Sequence, residues 1–389
     1  MTRDQLLTAP DTALPTLRGA VAGLPPYVPG RRSAGTDIAA LASNESHYEP
    51  LPAAAAAVAA AAGTMNRYPD SAAVELRERL AGHLGVTAGE VAVGPGSVGV
   101  LQQIITGLCD AGDEVIFAWR SFEAYPILVE LAGAQPVRIP LDGAEGHDLD
   151  AMAAAVTART KVILLCTPNN PTGVPISHER IEAFLRSVRS DILVVIDEAY
   201  VEYAEAGSGP DSLALYRQYP NVCILRTFSK AYGLAGLRVG YAVAAPDIAE
   251  GLRRTALPFS VSALAQKAAI ASLDAGEEME ARVTAVKQER ARMAAQLEAQ
   301  GWKLQASQGN FLWIRADELL QARLVDAFDA AGVLVRAYQG DGVRITVADS
   351  ASNDRVLRLF GSPRCLETTD LNPHPFHQQP EDSPWNNRQ

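Results

Sequence analysis

The chain has 389 residues, of which 48% are hydrophobic, more than one core usually sustains, so two domains are expected. Its 45 acidic residues outnumber 34 lysines and arginines, for a net charge of -11. This excludes a nucleic-acid or anionic-membrane surface, since both demand a basic face, and leaves small molecules as partners. The four cysteines, Cys109, Cys166, Cys223 and Cys365, show no C-x-x-C spacing, and three sit inside apolar runs. They read as reduced core residues of a cytoplasmic protein.

In chain order, the opening "MTRDQLLTAPDTALP" holds no apolar stretch long enough for a secretory signal, so nothing directs export. The alanine-rich run at 53–63 is too short to span a bilayer and reads as a packed or half-exposed helix. From about 90 to 244, short β-branched runs alternate with amphipathic stretches. The strand expectations are "EVAVG", "DEVIFAW", "PVRIPL", "KVILLC", "ILVVID", "NVCILRT" and "RVGYAVA". Such alternation predicts an α/β fold with a largely parallel sheet under helices, and ligands bind such sheets at the carboxyl ends of strands. After Pro258 a long helical region runs to about 299. The segments "FLWIRA", "GVLVRAY" and "GVRITVA" then predict a smaller α+β domain. The expected division is an arm, 1–45, joining the small domain; a large domain, 46–258; the small domain, 259–361; and a flexible polar tail, 362–389.

Four stretches carry chemistry-bearing residues. "TFSKAYGLAGLRVGYAV" places Lys230 among Phe228, Ala231, Leu234 and Ala235, with Arg238 following. Desolvation there lowers a lysine's pKa and makes its amine nucleophilic. "VVIDEAYVEY" runs an apolar strand into Asp197, with Tyr200 three positions on. A buried carboxylate needs a cation or a protonated ring nitrogen, although an N-cap aspartate would read the same way. In "CTPNNPTGVPI" two prolines bracket Asn169 and Asn170, which fits either an aimed amide or a plain turn. "VGPGSVGVLQQ" ends a strand and opens a helix, where backbone amides and the Ser97 hydroxyl could hold phosphate.

Taken together and in order, "NRYPD", "PNNPTG", "DEAYVEY", "SKAYGLAGLRVGY" and "GVRITVA" resemble the pyridoxal-phosphate aminotransferases of fold type I, in the histidinol-phosphate and aromatic branch. The resemblance spans about residues 20 to 361. It implies a large domain with a mostly parallel seven-stranded sheet and a smaller α+β domain. It implies pyridoxal 5'-phosphate as cofactor, with no metal. In the family's roles, Lys230 would bind the cofactor covalently and shuttle the proton at the substrate Cα, while Asp197 would pair with the ring nitrogen. Tyr200 and Asn170 would address the ring's phenolate oxygen, and Phe122 would stack on the ring. Ser97, the backbone around Gly96 and Val98, Thr227, Ser229 and Arg238 would hold the phosphate, with glycines 233, 236 and 240 allowing close approach. Tyr68 would reach the phosphate of a neighbouring subunit, which implies a homodimer. Arg344 would grip the substrate carboxylate, supported by Asn44, and Tyr27 would stand at the entrance.

Substrate choice divides two readings. Arg336 occupies the place of an arginine that helps hold the phosphate ester in histidinol-phosphate aminotransferases. The stretches "GSVGVLQQ", "AWRSFEAYP" and "YQGDGVRITVA" look more like the actinobacterial aromatic aminotransferases. The preferred expectation is ping-pong transamination of phenylalanine or tyrosine with 2-oxoglutarate, histidinol phosphate being the alternative. The same fold hosts decarboxylases, C–S lyases and synthases, over which Arg344 favours transamination.

Overall fold

The computed structural model describes residues 15–24 and 38–362. The expectations for Tyr27, Cys365, the opening 14 residues and the polar tail beyond Ser362 lie outside the described residues.

Seven strands, Val91–Gly94, Glu114–Trp119, Gln135–Pro140, Thr160–Cys166, Leu193–Asp197, Val222–Thr227 and Gly240–Val243, form one sheet. Across it, Val91–Gly94 is followed by Gly240–Val243, Val222–Thr227, Leu193–Asp197, Thr160–Cys166, Glu114–Trp119 and Gln135–Pro140. Only Gly240–Val243 runs antiparallel to its neighbours. The central strands are continuous apolar runs because both of their faces are covered. With the side-chain period of two, Ile163, Leu165, Ile196 and Ile224 pack on one face against Leu76, Leu80, Ile181 and Phe184. Leu164, Val195 and Leu225 pack on the other against Ile104, Ile105, Tyr125 and Val129.

A second sheet orders Arg336–Tyr338, Gly342–Thr346 and Phe311–Arg315, all antiparallel. Its core joins Val343 and Ile345 to Met293, Leu297, Leu324, Phe328 and Phe360. Tyr200, Tyr203 and Ala231, which follow strands of the large sheet, also belong to this core, so the site-bearing loops are wedged between the two units.

Two sequence expectations are refined. "GVLVRAY" is not one strand: Val333–Leu334 pairs in parallel with Ala39–Ala40, whereas Arg336–Tyr338 turns to pair with Gly342–Thr346. The chain changes partners at Val335, which a local pattern cannot register. The helical region after Pro258 is two helices, Ala263–Asp274 and Gly276–Ala299. Ala265, Ala268 and Ala269 of the first pack in the large core, and Val283 and Met293 of the second in the small one, so the chain crosses between cores at Ala275. Residues 39–41 join the small unit, whereas Arg18 donates to the carbonyl of Leu131 on the large one.

Candidate active site

Six of the seven sheet strands point the same way, so their carboxyl ends deliver loops to one edge of the sheet. A cavity of about 430 Å³ opens there, lined among others by Ser97, Phe122, Asn170, Asp197, Tyr200, Lys230, Arg238, Arg336 and Arg344.

Lys230 follows Val222–Thr227, in a loop pinned by the buried side chains of Phe228 and Leu234. Its Nζ donates to the Ser43 carbonyl at 2.9 Å. Loss of hydration, with the positive charges of Arg344 and Arg238, lowers its pKa from 10.5 to about 7, against the opposing pull of Glu45. Near neutral pH a large share of the amine is therefore the free base.

Asp197 ends its strand in the cavity wall. Its Oδ2 accepts from the Tyr125 hydroxyl at 2.6 Å, while its buried Oδ1 has no hydrogen-bond partner among the described residues. Burial raises its pKa to about 6, with the Tyr125 hydrogen bond opposing. The N-cap alternative fails, because the short helix that follows, Val201–Tyr203, is capped at Tyr200. A buried carboxylate with one idle oxygen is costly alone and calls for a cationic N–H donor. Burial also pushes the Tyr125 phenol up, so it remains a neutral donor.

An anion pocket adjoins these two groups. Arg238 Nη1 donates to Ser229 Oγ at 3.1 Å and to the Ala235 carbonyl at 3.0 Å, and Thr227 Oγ1 lies 3.0 Å from Ser229 Oγ. No carboxylate pairs with Arg238 among the described residues. The first turn of Gly96–Leu108 presents Ser97 and Val98 to the same space. Gly96 has φ 77°, and a Cβ there would collide with the Arg238 guanidinium; at Gly240 it would collide with the Ser97 amide. Of the three glycines expected to allow close approach, Gly240 is required by its contacts and Gly233 by its φ of 68°, whereas a Cβ at Gly236 would meet open space. Residues 94–99 have the spacing G-x-G-x-x-G, but Gly96 makes room for Arg238 and Gly99 for the ring of Pro95.

The adjacent part of the cavity is built by two amides and a guanidinium. Asn169 is locked in its turn, its Oδ1 accepting from Ser121 and its Nδ2 donating to Thr172 Oγ1. Asn170 faces the cavity, with Oδ1 accepting from Arg344 Nη1 and its Nδ2 without an acceptor among the described residues. Arg344 is 5% exposed; it donates further to the Tyr338 hydroxyl and the Ala42 carbonyl, and its Nε has no partner among the described residues. Arg336 donates to Glu123 through Nε at 3.0 Å and Nη2 at 2.6 Å. Tyr200 accepts from Asn44 Nδ2 at 3.0 Å. Asn44, completely buried and tied to Thr346, positions that tyrosine and does not itself line the cavity. Tyr68 stands apart, 82% exposed and stacked on Phe259 with ring centroids 4.5 Å apart.

The family model "Aminotransferase class I and II" matches residues 36–360. The chain belongs to this family. It is 51% identical over 347 residues to the aromatic amino acid aminotransferase of Streptomyces coelicolor, covering 89% of this chain and 96% of that one. To the protein of the same name from Thermobifida fusca it is 48% identical, with the same coverages. Its fold is similar to the histidinol-phosphate aminotransferase of Sinorhizobium meliloti, solved with pyridoxal-5'-phosphate (TM-score 0.83, 28% identity, covering 92% of this chain and 100% of that one). The protein is therefore an enzyme with transaminase activity, built on the α/β framework of fold type I.

This aminotransferase also has site residues that the motifs did not single out. Tyr125 lies on the amphipathic helix Ala124–Ala132, where its apolar neighbours mark it as core. Tyr338 shares a strand face with Arg336 and donates to Asn170 Oδ1 at 3.4 Å. Glu123 reads as a first-turn acid until its partner is seen. Ser43 offers only a backbone carbonyl, which side-chain patterns never reveal.

Proposed function

We propose that the protein is a pyridoxal-phosphate-dependent aromatic amino acid aminotransferase that converts phenylalanine or tyrosine to the 2-oxo acid, with 2-oxoglutarate as acceptor. The observation that carries this reading is a buried, desolvated lysine and a half-satisfied buried aspartate in one cavity, beside an arginine that pairs with no carboxylate among the described residues. That set fits the cofactor group by group. When bound, pyridoxal phosphate supplies an electron sink for the pair released from the substrate Cα–H bond. Arg238, Ser229, Thr227, Ser97 and the amides near Gly96 and Val98 hold its phosphate. The Asp197 carboxylate would hold its ring nitrogen through Oδ1 and keep that nitrogen protonated. Tyr200, whose own proton has no acceptor among the described residues, and the Asn170 Nδ2 donate to its phenolate oxygen. Phe122 forms an apolar wall against the ring. Lys230 would hold its aldehyde group and serve as the base for the substrate Cα proton, matched to neutral pH.

Arg344 receives the α-carboxylate. Its buried position makes a charged partner worth more than it would be in water. Tyr68 completes the site across a homodimer interface, which the exposed apolar side chains of Met65, Tyr68, Leu257 and Phe259 support. No helix among the described residues is long and apolar enough to cross a membrane, and we assign the enzyme to the cytoplasm.

The amine supplies a pH test. Protonated below about 7, Lys230 should take up cofactor at a rate that rises about tenfold per pH unit from pH 5.5 and levels off near pH 7. Stopped-flow absorbance after mixing cofactor-free protein with pyridoxal phosphate measures this. A rise continuing past pH 9 would mean an ordinary solvated lysine. For the substrate, phenylalanine and tyrosine should exceed histidinol phosphate in kcat/KM, and a preference of about a hundredfold for histidinol phosphate would overturn the aromatic reading.

A further inference from the structure

The antiparallel register sets Arg336 directly opposite Arg344, so both guanidinium groups rise from one face of the small sheet into one cavity. Like charges opposite each other are unfavourable unless each is compensated. The two are compensated differently. Among the described residues Arg344 meets neutral acceptors, the Asn170 amide, the Tyr338 hydroxyl and the Ala42 carbonyl. Arg336 meets Glu123, whose Oε2 accepts from both Nε and Nη2. The pair is well shielded, with side chains 12% and 28% exposed, and Glu123 sits at the N-cap of Ala124–Ala132. The other glutamate lining the cavity, Glu45, is solvent-exposed and acts on Lys230.

We infer that Glu123 is a specificity-determining residue: by neutralising Arg336 it leaves the acid-binding end of the cavity with a single net positive charge, matched to a carboxylate and set against a phosphate dianion. Two positive guanidiniums less one carboxylate balance a monoanion. A phosphate monoester brings a second negative charge, and it must either break the Glu123–Arg336 pair or lie beside the Glu123 carboxylate. Like-charge juxtaposition in a shielded site is a strong source of discrimination. This inference rests on the aminotransferase reading of the cavity and deepens it by assigning the residue that selects the acidic group.

The test uses the cofactor-loaded enzyme with phenylalanine and histidinol phosphate as paired substrates. Glu123→Gln keeps the size and an acceptor for Arg336 but removes the charge. It should raise the kcat/KM ratio of histidinol phosphate to phenylalanine by about tenfold or more, chiefly through a lower KM for the phosphate ester. Glu123→Asp, which keeps the charge, should shift the ratio far less. Competitive inhibition of phenylalanine turnover by phenyl phosphate gives a second readout, and its inhibition constant should fall in the glutamine variant alone. An unchanged ratio in Glu123→Gln, or an equal shift in Glu123→Asp, overturns the inference. The wild-type ratio reports separately on the aromatic reading: a strong native preference for histidinol phosphate sinks that reading, while the change on substitution still decides the role of Glu123.

Discussion

Lys230→Ala should leave a folded protein whose transamination of phenylalanine is reduced by about 10⁴-fold or more, because one substitution deletes both the proposed covalent anchor and the proposed proton shuttle. The fold has little to lose. The amine makes one hydrogen bond among the described residues, to the Ser43 carbonyl, and its charge is opposed by Arg344 and Arg238. Removing it relieves desolvation and repulsion together, so thermal unfolding of the cofactor-free variant should match or exceed that of the wild type. Turnover within about tenfold of wild type would remove Lys230 from the mechanism.

Asp197→Asn should fold equally well and lose about 10²- to 10³-fold in kcat. Asparagine preserves the acceptor for the Tyr125 hydroxyl but turns an N–H donor, in place of an idle oxygen, toward the cofactor ring. The ring nitrogen then loses the group that keeps it protonated, and with it the drive to accept electrons. The stability consequence has a definite sign. Asp197 titrates near 6 in the folded protein against an ordinary 3.8, so the folded state binds its proton more tightly. Its contribution to stability is present below pH 3.8 and is lost as pH rises through 6. In the cofactor-free state the asparagine variant should therefore be the more stable at pH 7 to 8, and the advantage should vanish below about pH 4. Thermal unfolding across that range, with kcat measured beside it, separates the electronic role from a structural one. An unaltered kcat would contradict the pairing with the ring nitrogen.

Much of this arrangement could be read from the chain because it is written in local signals. The seven large-sheet strands are apolar runs whose length and β-branching leave little alternative once both faces are buried. Lys230 and Asp197 stood out because an ionisable group that ends an apolar run has no solvent to serve it. Other features depend on distance in sequence. Glu123 finds Arg336 213 positions away, and no spacing rule connects them. Tyr125 looks like any core aromatic until its hydroxyl meets Asp197. The paired amides posed a choice that composition could not make, and the fold resolves it by locking Asn169 into the turn and leaving Asn170 to the cavity. The helix break at Ala275 was marked only by Gly276, a weak signal inside an otherwise helical stretch.

The proposed chemistry depends on the identity of one amine, which chemical trapping tests most directly. Purified protein loaded with pyridoxal phosphate would be reduced with borohydride, digested and mapped by mass spectrometry. The account predicts a stable phosphopyridoxyl label on the peptide containing Lys230 and no comparable label in Lys230→Ala. A label on another lysine, or equal labelling of the variant, would contradict it.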